Sequence, residues 1–239
     1  MNAALFALAA AGAALLGAVA VTRHARRGLA FIELCLCFSA GFMIALAVVE
    51  AIPEALALDA RTAAPIVLLG YVLVHLTQHT LAPHFHFGEE THAVSAATRR
   101  SAIIGLALHT FFDGVAIASG FLVTPALGML FFVAIALHKI PEGVAVASLV
   151  LASGGTARAS YRAAGLMGIA TVLGALLTGS IGVLSRHGLA LSAGVMVYVG
   201  ASNLVPEFQQ RRGWKVPLAF VGGSACFLAA RAALERVGG

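Results

Sequence analysis

What most constrains this chain is a series of eight apolar runs, each long enough to cross a bilayer and separated by short breaks. A spanning helix needs about 20 mostly apolar residues. The runs fall at 2–22, 29–57, 65–82, 101–121, 126–152, 163–185, 188–209 and 215–236. With 60% hydrophobic and 10% charged residues, the chain has too little charge to coat a water-facing surface; roughly a quarter is usual for a soluble domain. Soluble enzymes, disordered chains and disulfide-stapled secreted domains are excluded. The expected fold is an all-α integral membrane protein of eight transmembrane helices, one polytopic domain over residues 1–239 with the lipid bilayer as its partner. Cys35, Cys37 and Cys226 fall inside apolar runs and read as small buried hydrophobes.

The net charge of +5 does not point to nucleic acid, because the basic residues cluster in the breaks, as membrane orientation requires. Ten lie on the side of the first break: Arg23, Arg26, Arg27, Arg99, Arg100, Arg158, Arg162, Arg211, Arg212 and Lys215. Four lie on the other side, Arg61, Arg186, Arg231 and Arg236, and Lys139 sits inside a run. The positive-inside rule makes the ten-charge side cytoplasmic, so both termini are expected outside. The first run does not read as a signal peptide, since its positive charges follow the apolar stretch instead of preceding it. The loop 83–100 is then cytoplasmic. In it His84, His86 and His92, with Glu89 and Glu90, form either a metal-collecting cluster or an ordinary solvated loop.

Ionisable groups at membrane depth cost at least about 2.5–3.5 kcal/mol each on insertion scales, so those that persist are functional candidates. Here they come in i, i+4 pairs, which share a helix face: Glu50/Glu54, His109/Asp113, His138/Glu142 and Asn203/Glu207. Pro53, Pro141 and Pro206 each follow the first member of a pair by three residues. A proline frees the carbonyl four residues back, and broken backbone at membrane depth is tolerated where it lines a cavity.

An internal repeat sharpens the pattern. The segment from His109 to Ser119, HTFFDGVAIAS, aligns with that from His138 to Ser148, HKIPEGVAVAS. Likewise Glu50-Ala-Ile-Pro-Glu54 recurs as Asn203-Leu-Val-Pro-Glu207. By the expected topology the members of each pair run antiparallel. That suggests a 3+2+3 inverted repeat, a transporter hallmark. Glu50 and Glu54 lie near the outer end of their run and form an entrance. His109, Asp113, His138 and Glu142 lie near the midplane, on runs 101–121 and 126–152. Asn203 and Glu207 lie near the inner end and form an exit. Two imidazoles and two carboxylates match the ligand set of zinc and its first-row neighbours. The alternative is that both histidines are core residues satisfied by their own i+4 carboxylates.

The pair His-x-x-x-Asp-Gly and His-x-x-Pro-Glu-Gly resembles helices 4 and 5 of the ZIP (Zrt/Irt-like) family of divalent metal transporters, and the resemblance covers essentially the whole chain. It implies that the metal is a transported substrate and not a cofactor: Zn2+, or Cd2+, Fe2+, Mn2+ or Co2+, taken up into the cytoplasm. It also implies an elevator-like transport domain sliding on a scaffold, and a homodimer, frequent in the family. The implied main metal site is His109, Asp113, His138 and Glu142, with Met43 as a weak ligand. At the family's second site this chain departs from the pattern, with Thr110, Lys139 and Thr171 in place of ligands. Lys139, three residues before Glu142, is expected to place its ammonium where a second metal would sit, leaving a mononuclear site. The rival reading is an intramembrane zinc metallohydrolase built on the same cluster. It leaves the polar pairs at both mouths and the duplication unexplained. The Ala-, Gly- and Arg-rich composition and short loops favour a bacterial inner membrane.

Overall fold

The computed structural model describes residues 2–23, 29–80, 96–204 and 213–238, and among these every regular element is helical. In order they are α1 (Ala3–Arg23), α2 (Leu29–Leu46), a π-helical turn (Ala47–Ala51) and α3 (Ile52–Leu58). Then come α4 (Ala63–Thr80), α5 (Ala96–Val123), α6 (Pro125–Ala152) and α7 (Ala157–Thr178). Last are α8 (Gly182–Tyr198), a second π-helical turn (Val199–Leu204) and α9 (Lys215–Gly238). Among the described residues seven helical rods are long and apolar enough to cross a membrane, and the 18-residue α4 completes the eight expected runs.

Local chemistry fixes the ends. Thr124 caps α6 by accepting the Leu127 N–H (3.1 Å), with Pro125 in the first turn, and Thr156 caps α7 by accepting the Ala159 N–H (3.2 Å). Asp59 opens the loop before α4: its carboxylate accepts the Thr62 hydroxyl (2.6 Å) and the N–H groups of Thr62 and Arg61. These bonds, the Thr62 hydroxyl first, hold the Asp59 carboxyl below the usual carboxylate range. After α6 the chain turns through Gly154 at φ 76°, a left-handed conformation that suits glycine.

Two expectations are corrected. The break between the sixth and seventh runs lies at Gly179–Ile181, about six residues earlier than the apolar pattern placed it, so Arg186 and His187 sit in the opening turns of α8. Charged residues at a membrane edge snorkel without ending a helix; the glycine and serine at 179–180 do end it. The three prolines also differ. Pro53 is preceded by a π-helical turn, and the second π-helical turn precedes Pro206 in sequence, whereas α6 runs as α-helix through Pro141. Around Pro141, α6 lies backbone-to-backbone on α1, and a widened turn there would collide with it.

Lipid tails are as apolar as leucine, so helices in a membrane associate through close packing and small residues. Four helix pairs are joined in this way, each by two glycines facing each other's backbone. A Cβ on Gly17 of α1 would strike the Ile140 carbonyl of α6, and one on Gly143 of α6 would strike the Ala14 carbonyl of α1. The same reciprocity joins α5 to α7 (Gly114 on Thr171, Gly174 on Phe111), α2 to α9 (Gly41 on Phe220, Gly223 on Phe38) and α4 to α8 (Gly70 on Leu191, Gly194 on Val67). Contacts of α1 with α7 and of α5 with α6 join two of these pairs into one body, and contacts of the π-helical turns with α2 and α8 join the other two, with α3, into another. Where α5 meets α8, side chains from α8 or α5 mediate the contact, and among the described residues no backbones interlock. Gly188 faces Ser119 and Val115, and the Ser192 hydroxyl donates to the Phe112 carbonyl at 3.5 Å.

A buried His, Asp and Glu cluster with a lysine inside it

The four midplane candidates come together. Helix α5 carries His109 and Asp113 one turn apart, α6 carries His138 and Glu142 one turn apart, and ligand atoms from all four lie within 4.8 Å of one another. All four are buried, none more than 7% exposed. The i, i+4 spacing puts both polar groups of each helix on one face, and the α5·α6 contact turns those faces toward each other.

Asp113 Oδ2 is the hub. It lies 3.5 Å from His109 Nε2, 3.4 Å from His138 Nε2 and 2.7 Å from Lys139 Nζ. Glu142 Oε2 lies 3.8 Å from His138 Nε2 and 2.7 Å from the same ammonium. His138 Nδ1 is 3.1 Å from the Ala134 carbonyl, which can only accept. Nδ1 therefore carries a hydrogen and donates it, and Nε2 faces the carboxylates of the cluster. His109 Nδ1 and Glu142 Oε1 are buried without a hydrogen-bond partner among the described residues. Donor atoms left this way in a dry interior are what a metal ion would satisfy. With neutral imidazoles, two carboxylates and one ammonium leave the cluster a net charge of −1, attractive to a cation.

Of the three residues expected to stand in place of second-site ligands, two donate to their own helix backbone. Thr110 donates its hydroxyl to the Ala107 carbonyl (3.0 Å) and Thr171 to the Met167 carbonyl (3.1 Å). Lys139 is fully buried and bonded to both carboxylates. The sequence suggested its link to Glu142 on the same helix; the equally short contact with Asp113 on α5 carried no local signal.

The remaining candidates separate. Met43 is fully buried on α2. Glu54 is half-buried on α3. Glu50, in the first π-helical turn, is paired with Arg231 of α9 (Nε–Oε2 2.9 Å), so its carboxylate braces two packed helices. Nothing in the sequence links these two residues 181 positions apart. The backbone of Asn203 lies in the second π-helical turn, but its side chain, Glu207 and the loop residues His84, His86 and His92 lie outside the described residues.

A family model for the ZIP zinc transporter matches residues 87–229, a stretch that includes both helices of the cluster. A search of the curated proteins returned no match. The family match takes in more than half of the 239 residues. The chain thus belongs to the ZIP zinc transporter family, membrane proteins that transport divalent metal ions and are not enzymes.

Proposed function

We propose that this protein moves zinc, or a related divalent ion, from outside into the cytoplasm, carrying one ion per cycle on His109, Asp113, His138 and Glu142. The observation that carries the reading is the cluster itself: two imidazoles and two carboxylates meet in the packed interior of the helices, with donor atoms unpartnered. Such a set suits zinc, and also Cd2+, Fe2+, Mn2+ and Co2+. A mononuclear site follows from Lys139, which already supplies a second positive charge to the carboxylates, and from the Thr110 and Thr171 hydroxyls, which are tied to backbone carbonyls. Glu54 serves as the entrance carboxylate, since Glu50 is held by Arg231. Asn203 and Glu207 serve the exit, and Met43 of α2 is a weak ligand on the way.

The packing supports an elevator-like cycle. Backbone-level glycine contacts lock four helix pairs, two in each body, and among the described residues none bridges the two bodies. A seam made of side chains can slide; interlocked backbones cannot. The pairs also support the inverted repeat. If the first three of the eight spans correspond to the last three and the fourth to the fifth, the α1·α6 pair maps onto α7·α5 and the α2·α9 pair onto α8·α4. The two π-helical turns map onto each other as well. Both termini face outside by the positive-inside count. A homodimer in a bacterial inner membrane, with the loop histidines His84, His86 and His92 collecting metal on the cytoplasmic side, completes the proposal.

Uptake of radiolabelled zinc into proteoliposomes tests it. The wild type is expected to give saturable, time-dependent uptake, and His138→Ala none above protein-free vesicles. Equal uptake by His138→Ala would refute the site. Absence of any metal-dependent flux together with hydrolysis of a lipid would turn the assignment to a metallohydrolase.

A further inference from the structure

We propose that Lys139 is a tethered competitor for the transported ion. Its ammonium holds the carboxylate oxygens that the ion needs, must yield at least one of them when the ion binds, and thereby sets how tightly the cargo is held and how readily it leaves. The inference rests on the reading of His109, Asp113, His138 and Glu142 as the cargo site, and adds a role that none of the four ligands has.

The geometry is specific. Lys139 Nζ lies 2.7 Å from Asp113 Oδ2 and 2.7 Å from Glu142 Oε2. Those are the same two oxygens that approach His138 Nε2, at 3.4 and 3.8 Å, and Asp113 Oδ2 is also the one nearest His109 Nε2, at 3.5 Å. The ammonium therefore bridges the two carboxylates of the ligand set, on oxygens that also face the imidazoles. An ion drawn in by the two imidazoles arrives at oxygens already bonded to a cation. Like charges at such range repel strongly in a site shielded from water. The lysine is fully buried, so it has no water to withdraw into and must shift within the cluster. One rearrangement is available: Glu142 Oε1 is buried and unpartnered, so rotation of that carboxylate can give one oxygen to each cation.

A carrier gains from such a competitor. Transport needs a site favourable enough to enter and weak enough to leave. Two histidines and two bare carboxylates would hold a transition-metal ion tightly. The returning ammonium replaces the departing ion on the same oxygens and keeps the empty cluster from holding two uncompensated negative charges. A lysine that merely positioned the carboxylates would have the opposite signature, since removing it would disorder the ligands and weaken binding.

The test compares wild type, Lys139→Gln and His138→Ala in the full-length chain. Cd2+ binding is measured by equilibrium dialysis in detergent and zinc uptake in proteoliposomes. Lys139→Gln is expected to bind Cd2+ at least tenfold more tightly and to lower KM and maximal uptake together, the mark of slowed release. Should Lys139→Gln need metal to fold, it is prepared with Cd2+ and then chelated. Unfolding on chelation under conditions that leave the wild type folded supports the same competition. Unchanged or weaker Cd2+ binding by Lys139→Gln, with uptake lost in His138→Ala, overturns the competitor and leaves the cargo site standing. Full uptake by His138→Ala overturns both.

Discussion

Asp113→Ala is expected to reduce zinc uptake to the level of protein-free vesicles. The reason is the position of one atom. Asp113 Oδ2 is the closest carboxylate oxygen to both imidazoles and one of two holding the Lys139 ammonium. Alanine therefore removes a ligand and half of a buried ion-pair network at once. Breaking a buried pair by deleting one partner costs about 3–5 kcal/mol of folding stability, and the ion loses a charged ligand as well. The variant should also melt earlier in detergent, because Lys139 is left with Glu142 as its one counter-charge in the cluster. Uptake above a tenth of wild type would show that Asp113 is not a ligand.

Gly114→Ala is expected to be strongly damaging, and Gly165→Ala on the neighbouring helix is expected to be harmless. Replacing a helical glycine by alanine gains about 0.5–1 kcal/mol from reduced backbone freedom. At Gly165 nothing lies within 4 Å of the added methyl, so that gain stands. At Gly114 the methyl would enter the Thr171 carbonyl and press on the Ala175 nitrogen of α7, both backbone atoms that cannot swing aside. Overpacking costs about 1–3 kcal/mol even where side chains can yield, so here the clash wins. Gly114 directly follows Asp113, and pushing α5 off α7 also moves the hub carboxylate. Thermal midpoints and uptake of the two variants side by side check this; identical behaviour would contradict the interlocked-helix account.

The spans and the cluster were legible in the sequence for a physical reason. Charge is so costly in a membrane that each retained ionisable residue stands out, and the i, i+4 spacing of His109/Asp113 and His138/Glu142 reports one helix face whatever the tertiary fold. Partners on other helices were not legible. The Glu50–Arg231 pair and the Lys139–Asp113 bond depend on which helices meet and at what rotation. The glycine pairs were hidden for the same cause: 26 glycines in the chain look alike until a facing carbonyl is placed against them. The misplaced break between α7 and α8 shows the other limit. Hydropathy marks where the bilayer ends, while helix ends are set by backbone chemistry such as Gly179 and Ser180.

The central claim, one cargo ion per chain with Lys139 in the place of a second, is tested most directly by metal stoichiometry. Purified wild-type protein equilibrated with Zn2+ and counted by mass spectrometry of metal and protein should hold one tightly bound ion per chain, lost in His138→Ala. Two tightly bound ions per chain, both lost in that variant, would contradict the account.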